Sequence, residues 1–202
     1  LSEIHGSKVE QVHTGIEIEE AAPQIANEFP VMAAIGQSNN NYTTVQLARY
    51  VTAVANEGTV YQYTLLNRLE DSDGNVLQTF EPQVRNQIDV LDTEEWNAIH
   101  SGMRMVVENT KEFDGFPIEA AGKTGTAQQN LKRPNHALFV GYAPYDDPEI
   151  SIATRIAYGY TSHNAAKLAR NVFAYYFNVE NEDELLNGQA ANGNSSSNEI
   201  SD

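Results

Sequence analysis

The sequence predicts an α+β fold, an α/β sandwich in which an antiparallel sheet is flanked by helices. Residues 136–143 and 150–158 both favour strands, and only the short segment Pro144-Tyr145-Asp146-Asp147-Pro148 joins them. A connection of that length suits antiparallel neighbours, because a parallel pair needs a long crossover. Apolar residues recur at helical spacing in three further stretches, near residues 45–56, 93–107 and 162–177. We therefore expect helices packed on an antiparallel sheet.

Composition excludes several classes of protein. The chain has 202 residues, of which 41% are hydrophobic and 20% are charged, as in an ordinary globular domain. Acidic residues outnumber basic ones by 28 to 12, and the net charge of −16 argues against nucleic-acid binding, because phosphates attract Lys and Arg. Cysteine is absent and the five histidines show no metal-ligand spacing, so we expect no metal site. No apolar run reaches the roughly 18 residues of a membrane span.

Two helices in the first half of the chain have their own start signals. Thr43 is the predicted N-cap of the first, with Gln46 at capping-box spacing, and Gly58 supplies a left-handed position after its end. Its apolar face consists of Leu47, Val51, Val54 and Ala55. The second helix is expected to begin near Asp92 and Thr93, and its apolar positions are Trp96, Ile99, Met103, Val106 and Val107.

Short strands and loops are predicted around these helices. Thr59–Leu69 is expected to pair with Val76–Phe80 as a hairpin, because the intervening Asp71-Ser72-Asp73-Gly74-Asn75 has the composition of a turn. Asn109–Pro117 is predicted to be a loop. Near the start of the chain, Ile16 and Ile18 alternate with glutamates, which is typical of an edge strand.

Three strands and a helix complete the predicted domain, which spans residues 1–178. The first strand covers residues 120–128, ahead of the two already described, and the final helix runs from Ser162 to Phe177. The apolar stripe of that helix is Ala165, Leu168, Ala169, Val172 and Tyr176. Because this helix covers only one side of the sheet, we expect the other side to be exposed. Residues 179–202 contain six acidic residues and no basic one, and we expect them to form a disordered tail.

The segment Ala121–Gln128, with the sequence Ala-Gly-Lys-Thr-Gly-Thr-Ala-Gln, is the most informative for function. A strand with two glycines packs poorly and is tolerated where a backbone or a ligand must come close. Lys123 adds a positive charge beside that approach, and Thr124 and Thr126 add hydroxyls. A peptide with a terminal carboxylate could pair with this strand, its charge facing Lys123. The alternative is an ordinary edge strand with a surface lysine, since Lys-Thr-Gly strings also occur by chance.

Both this segment and other parts of the chain resemble one family. Lys-Thr-Gly is a signature element of penicillin-binding proteins and class A β-lactamases. Further blocks follow the order of the class B penicillin-binding proteins, the monofunctional transpeptidases of peptidoglycan synthesis. The blocks are Thr14–Ile18, Ile35–Gln37, Thr43–Ala48, Ala53–Thr59, Trp96–Val107, Ala121–Gln128 and His136–Asp147. The chain is thus identified as similar to the C-terminal half of such a transpeptidase domain, and the fold is expected to be incomplete in it.

The resemblance implies a serine D,D-transpeptidase that attacks the D-Ala–D-Ala bond of a stem peptide, and whose serine β-lactams acylate. Lys123 and Thr126 would be its catalytic residues in this chain. Lys123 lends positive potential, and Thr126 supplies a backbone N–H to the oxyanion hole. The implied substrate-binding residues are Thr124, Gly125, Thr126, Ala127 and Gln128. No cofactor, metal or nucleic acid is implied, and the partners would be the stem peptide, β-lactams and the missing N-terminal half.

The main departure from the family is the missing nucleophile. No Ser in the chain has Lys three residues later, so S-x-x-K is absent. Three S-x-N strings stand in the wrong order or context: Ser38-Asn39-Asn40, Ser162-His163-Asn164 and Ser196-Ser197-Asn198. We therefore expect the isolated chain to be inactive. Because it begins at Leu1, we also expect it to be part of a longer protein on the outer face of the bacterial cytoplasmic membrane, with the anchor outside this chain.

Two other interpretations stay open. One is a non-catalytic penicillin-sensing domain with the same fold, and the other is an interaction domain in which K-T-G is accidental. His136 opens a strand near the predicted site, and we expect it to be a structural or solvent-facing histidine rather than an acid–base group.

Overall fold

The computed structural model describes residues 42–128, 131–181 and 185. In chain order its elements are α1 Thr44–Ala55, β1 Thr59–Tyr61, β2 Arg68–Glu70, β3 Val76–Thr79, β4 Val84–Gln87, α2 Thr93–Glu108, a 3₁₀ turn at Lys111–Phe113, β5 Ala121–Ala127, β6 His136–Ala143, β7 Ile150–Ile156 and α3 Ser162–Tyr176. The predicted α+β architecture is confirmed. The edge strand expected around Ile16 lies outside the described residues, as do the first two blocks of the resemblance.

Both predicted helix starts are confirmed as capping boxes. The Thr43 hydroxyl accepts a hydrogen bond from the Gln46 N–H at 3.2 Å, and the Gln46 side chain accepts one from the Thr43 N–H at 2.8 Å. Asp92 and Glu95 exchange the same two bonds at the start of α2, each at 2.9 Å. These bonds satisfy backbone donors that have no partner inside a helix. Gly58 has a φ of +95° after α1, as its predicted left-handed role requires.

The predicted hairpin is right at its tip and wrong at its base. β2 pairs with β3 around the turn at Asp71, but Thr59–Tyr61 pairs with β4 instead of continuing into the same hairpin. The Asp71 carboxylate accepts hydrogen bonds from the Asn75 side-chain amide and from the Asn75 and Asp73 N–H groups, and these bonds lower its pKa. Because the turn is compact, it brings only the residues close to it into register. The pairing around it is therefore limited to β2 and β3. After β3 the chain turns back, and β4 pairs with β1. The composition of the turn at Asp71 does not indicate this second pairing.

The central sheet has the order β5–β6–β7, and both pairs are antiparallel. This confirms the three adjacent antiparallel strands expected from the sequence. β7 ends at Ile156, two residues earlier than predicted, because Tyr158 adopts a left-handed φ of +56° and cannot continue a strand.

One side of the sheet, the α3 face, packs against α3. Phe139 is fully buried there and stacks on Phe113 with ring centroids 5.7 Å apart. The buried residues of this layer are Ala137, Phe139 and Ala143 from the sheet and Ala165, Ala166, Ala169 and Phe173 from α3. The Thr154 hydroxyl donates to the Ala165 carbonyl at 3.0 Å and fastens β7 to the helix.

The apolar stripe predicted for α3 is partly wrong. Ala165 and Ala169 are fully buried, but Leu168, Val172 and Tyr176 are 45%, 37% and 46% exposed. The small side chains of Ala165, Ala166 and Ala169 let the helix backbone come close to the sheet, and Phe173 fills the remaining space. The bulkier Leu168 and Val172 therefore lie on the outer side of the helix. In α2, Trp96 and Val107 are buried as predicted, whereas Ile99 is 38% exposed.

The other side of the sheet, the α1 face, is covered over only part of its area. Tyr142 is fully buried beneath Val51 of α1, and the Thr52 hydroxyl lies 2.6 Å from that of Ser151 on β7. The expectation that nothing in this chain covers the second side is therefore wrong at the Tyr142 end, because α1 and α2 pack there. Toward the end of β5, Leu138 is half-buried and Lys123 is exposed, so that part of the face is open.

The first residues of the predicted tail are fastened to α3. The Val179 N–H donates to the Ala174 carbonyl at 3.1 Å, and the Glu180 carboxylate contacts the Arg170 guanidinium through both of its oxygens. This ion pair lowers the pKa of Glu180. Residues 179 and 180 of the predicted tail thus contact α3, and apart from Asn181 and Leu185 the remainder lies outside the described residues.

The Glu180–Arg170 pair predicts an acid-dependent loss of stability. Because the pKa of Glu180 is lowered from its ordinary value of 4.5, folding favours the carboxylate. The contribution is complete above the unfolded pKa and is lost as the pH falls through the folded pKa. We expect Glu180→Gln to lower the thermal unfolding midpoint by about 1–3 °C at pH 7, and the difference from wild type to shrink toward zero near pH 3.

The matched control is Glu81→Gln, which removes an exposed carboxylate from the segment between β3 and β4. Its midpoint should follow the wild type across the same pH range. An E180Q difference that stays constant from pH 7 to pH 3 would show that the ion pair is not its source.

Candidate functional site

β5 holds the predicted site residues on an open sheet edge. One edge of the strand pairs with β6 over its whole length, from Ala121 opposite Tyr142 to Ala127 opposite His136. Within the described residues, no strand pairs with the other edge. An unpaired edge presents N–H and C=O groups that can accept an extended peptide as an additional strand. The structure therefore brings the predicted substrate-binding residues Thr124–Ala127 together on a surface that suits peptide binding, and Gln128 follows directly after the strand.

The register divides the charged and hydroxyl side chains between the two faces of the sheet. Residues directly opposite each other in adjacent strands share a face. Lys123 is opposite Val140 and therefore lies on the α1 face, in its open part, whereas Thr124 and Thr126 are opposite Phe139 and Ala137 on the α3 face. A ligand paired with the β5 edge would have the lysine on one side and the two hydroxyls on the other.

Lys123 is the exposed residue of this strand, and the threonines and Gly125 are half-buried. Its ammonium group donates to the Thr124 carbonyl at 3.0 Å, so the charge lies along the strand. An anionic group of a ligand at the β5 edge could contact the Lys123 ammonium group without entering the hydrophobic core.

The two glycines of β5 have different roles, which the sequence pattern does not separate. A Cβ on Gly122 would lie 2.4 Å from the Phe139 ring and 2.8 Å from the Val140 carbonyl oxygen. On Gly125 the nearest atom would be the Leu138 Cβ at 3.5 Å, an ordinary contact. Gly122 therefore serves the packing of the sheet. Gly125 is the position at which a missing side chain leaves room for a ligand.

The start of β5 is fixed from α2 and from the sheet. The Arg104 guanidinium lies 3.3 Å from the Ala120 carbonyl oxygen and within 3.5 Å of carboxylate oxygens of Glu108 and Glu119. Ala121 is fully buried opposite Tyr142. Burial raises the pKa of the Tyr142 phenol, whose hydroxyl has no hydrogen-bond partner among the described residues. The candidate site thus begins at a buried strand end and becomes half-buried toward Ala127.

The other residues considered as functional candidates from the sequence lie at positions where their contacts stabilise the fold. His136 is buried, and its Nδ1 accepts a hydrogen bond from the Tyr158 N–H at 3.1 Å, which fits the structural role expected for it. In the S-x-N string at 162–164, Ser162 is a buried first residue of α3 and the Asn164 amide donates to the Gly159 carbonyl at 2.8 Å. The other two S-x-N strings lie outside the described residues.

Two further kinds of site have no support in the described part of the chain. Its histidine, aspartate and glutamate side chains form no group of three that could hold a metal ion. Its helices include none that is long and apolar enough to cross a membrane.

Comparison with known proteins matches most of the chain to one family. The family model described as penicillin binding protein transpeptidase domain matches residues 5–174. The peptidoglycan D,D-transpeptidase MrdA of Haemophilus influenzae is 33% identical over 73% of this chain, and that alignment covers 26% of the relative. Penicillin-binding protein 2A of Bacillus subtilis is 28% identical over 79% of this chain and 25% of the relative. The chain therefore spans about a quarter of the length of these curated relatives.

Solved structures agree on the fold. An imipenem acyl-enzyme complex of penicillin-binding protein A from M. tuberculosis has a TM-score of 0.64 at 22% identity, covering 72% of this chain and 33% of that one. Penicillin-binding protein 2B from Streptococcus pneumoniae R6 has a TM-score of 0.61 at 24% identity, covering 69% and 25%. At these identities the likeness establishes a shared fold.

The contrast between the two glycines of β5 gives a prediction. We expect Gly122→Ala to reduce the free energy of unfolding by about 1–3 kcal/mol, because the new methyl group meets a buried ring and a backbone oxygen. Gly125→Ala should change it by less than about 0.5 kcal/mol. Urea unfolding of both variants measures the difference, and equal losses would contradict the separate roles.

The orphan hydroxyl of Tyr142 gives a second prediction. Tyr142→Phe keeps the buried ring and removes an unsatisfied polar atom, so we expect stability to be unchanged or to rise by up to about 1 kcal/mol. Tyr142→Ala should cost about 3–5 kcal/mol, because it leaves a cavity. A large loss in Y142F, measured by urea unfolding, would mean that the hydroxyl has a partner.

Proposed function

Since the chain belongs to the penicillin-binding protein transpeptidase family, we propose that it forms part of a serine-type peptidoglycan D,D-transpeptidase and supplies the K-T-G-T strand. The observation that carries this proposal is the position of Lys123–Thr126 on β5, the edge strand of the central sheet among the residues that the structure describes. An edge beside a cation suits a peptide that ends in a carboxylate, which is the chemistry of a stem peptide ending in D-Ala–D-Ala.

The proposed reaction is acyl transfer in two steps. A serine oxygen attacks the carbonyl carbon of the penultimate D-alanine, the peptide bond breaks, and terminal D-alanine leaves with the proton. The amine of a neighbouring peptide then displaces the serine from the ester and forms the cross-link. Covalent catalysis divides one difficult step into two easier ones. A β-lactam would acylate the same serine.

The roles of the β5 residues follow from the charge that develops in this reaction. Each tetrahedral intermediate places negative charge on the former carbonyl oxygen, and the Thr126 backbone N–H is proposed as one donor to it. Lys123 supplies positive potential and faces the substrate carboxylate. The hydroxyls of Thr124 and Thr126 bind that carboxylate from the other face. Gly125, Ala127 and Gln128 provide the edge along which the peptide backbone pairs.

The nucleophile is proposed to come from sequence outside this chain. None of its serines is followed by lysine three residues later, so the family's S-x-x-K is not present. The whole protein is proposed to work at the outer face of the bacterial cytoplasmic membrane, with its anchor also outside this chain.

Labelling with a fluorescent penicillin tests the proposal. The purified 202-residue chain should take no covalent label, whereas the natural protein that contains it should be labelled on serine. In that protein Lys123→Ala should slow acylation about 100-fold or more, by analogy with the loss of one transition-state electrostatic contact.

Lys111→Ala is the matched control, since it removes an exposed lysine from the 3₁₀ turn. Its acylation rate should equal that of the wild type. Labelling of the isolated chain, or full-rate acylation of K123A, would contradict the proposal. Penicillin binding without release of D-alanine from a D-Ala–D-Ala peptide would favour the non-catalytic sensing domain.

A further inference from the structure

The backbone groups of β5 that face its outer edge belong to alternate residues. A Cβ on Gly141 of β6 would lie 2.6 Å from the Ala121 carbonyl oxygen, so this carbonyl lies between β5 and β6. Successive residues of an antiparallel strand direct their N–H and C=O groups to opposite sides. The backbone groups of Gly122, Thr124 and Thr126 therefore face the outer edge, where a ligand strand would pair with them.

This outer edge is already occupied at the point where β5 begins. The Glu119 carbonyl accepts a hydrogen bond at 2.8 Å from the N–H of Tyr145, which belongs to the loop after β6. The next carbonyl, that of Ala120, faces the opposite side by the same alternation. It accepts a hydrogen bond from the Arg104 guanidinium at 3.3 Å. A ligand strand can therefore pair with Ala120 only by displacing Arg104.

Two carboxylates hold Arg104 in this position. Its Nη2 atom lies 3.5 Å from a carboxylate oxygen of Glu108 and 3.4 Å from one of Glu119, and its side chain is 20% exposed. Removing a partly buried guanidinium from such partners is unfavourable, because it leaves charges unpaired. These three residues form the Arg104 cluster. Two carboxylates facing one guanidinium give the cluster a net negative charge, which repels an approaching carboxylate.

The spacing along β5 connects this charge to the register of a bound peptide. The proposed function has the scissile carbonyl at Thr126 and the terminal carboxylate facing Lys123, so the end of the peptide points toward Ala120. A slip by one pairing step covers two residues, or about 7 Å, and moves the scissile carbonyl from the Thr126 N–H to the Thr124 N–H. The same slip brings the terminal carboxylate about 7 Å closer to the Arg104 cluster.

We propose that the Arg104 cluster is a register stop, which positions an acyl-donor peptide on β5 by preventing its terminal carboxylate from sliding toward Ala120. Arg104 blocks pairing at Ala120, and the excess carboxylate of the cluster disfavours the slipped register. The proposal rests on the function proposed above, because that function sets the direction of the peptide. Arg104, Glu108 and Glu119 are positioning residues and take no part in bond breaking.

NMR titration of the ¹⁵N-labelled 202-residue chain with acetyl-Ala-Ala-D-Ala-D-Ala measures the register. With its scissile carbonyl at Thr126, the peptide extends from Thr124 to Gln128. Slipped by one step, it extends from Gly122 to Thr126. The shift of the Gln128 amide therefore reports the productive register, and the shift of the Gly122 amide reports the slipped one. For the wild type we expect a shift at Gln128 that exceeds the shift at Gly122.

The double variant Glu108→Gln/Glu119→Gln changes the sign of the cluster, because it leaves Arg104 as an unbalanced cation. We expect the ratio of the Gly122 shift to the Gln128 shift to rise about fivefold at low salt, since the terminal carboxylate is now attracted toward Ala120. The ratio should decline again as salt is raised.

Two further variants assign the effect to this charge. Glu108→Asp/Glu119→Asp keeps both carboxylates and should retain the wild-type ratio. Asp73→Asn/Glu81→Gln is the matched control, because it removes two exposed carboxylates on either side of β3. Its ratio should also equal that of the wild type. Dispersed spectra establish that each variant is folded.

The outcomes separate the register stop from the proposed function. A ratio that stays at the wild-type value in E108Q/E119Q, or that rises equally in D73N/E81Q, overturns the register stop while the function stands. A rise confined to E108Q/E119Q supports it. Absence of peptide-induced shifts at residues 122–128 of the wild type contradicts peptide binding on β5, and with it both proposals.

Discussion

The packing of one aromatic ring constrains the rest of this structure. Phe139 occupies the space beside Gly122 and Gly141, so that a Cβ on either glycine would lie within 2.8 Å of the ring or of backbone oxygens. The ring also stacks on Phe113 and packs against α3. β5 is thereby fixed to β6 by core packing as well as by backbone hydrogen bonds. This packing fixes the side of β5 that faces β6, while among the described residues no strand pairs with its outer edge.

The candidate site depends on this division between a packed side and an open edge. At the Ala121 end, the strand is buried between Tyr142 and the helices, and from Thr124 to Ala127 it is only half-buried. A ligand that pairs with the edge can therefore meet backbone groups, the Lys123 charge and threonine hydroxyls without any rearrangement of the core. Preorganised polar groups of this kind favour binding and stabilise developing charge, since they require little reorganisation.

Much of the fold could be predicted from interactions between residues that are close in the sequence. Capping boxes at Thr43 and Asp92 identify helix starts, and the short Pro144–Pro148 connection identifies an antiparallel pair, because both signals act over a few residues. The errors concern long-range packing. The rotation of α3 depends on alanines meeting Phe139, and the partner of β1 depends on a return strand more than twenty residues away. In the site, the pattern singled out both glycines of β5, but only the contacts across β6 show that Gly122 serves the core.

We propose that β5 binds the acyl donor and that the Thr126 N–H donates a hydrogen bond to its oxyanion. A crystal structure of the natural protein acylated by a β-lactam measures this directly. The acyl carbonyl oxygen should lie about 2.7–3.1 Å from the Thr126 nitrogen, with the ligand backbone paired to the outer edge of β5. An acyl group bound to serine whose carbonyl oxygen points away from Thr126, with the β5 edge unoccupied, would contradict it.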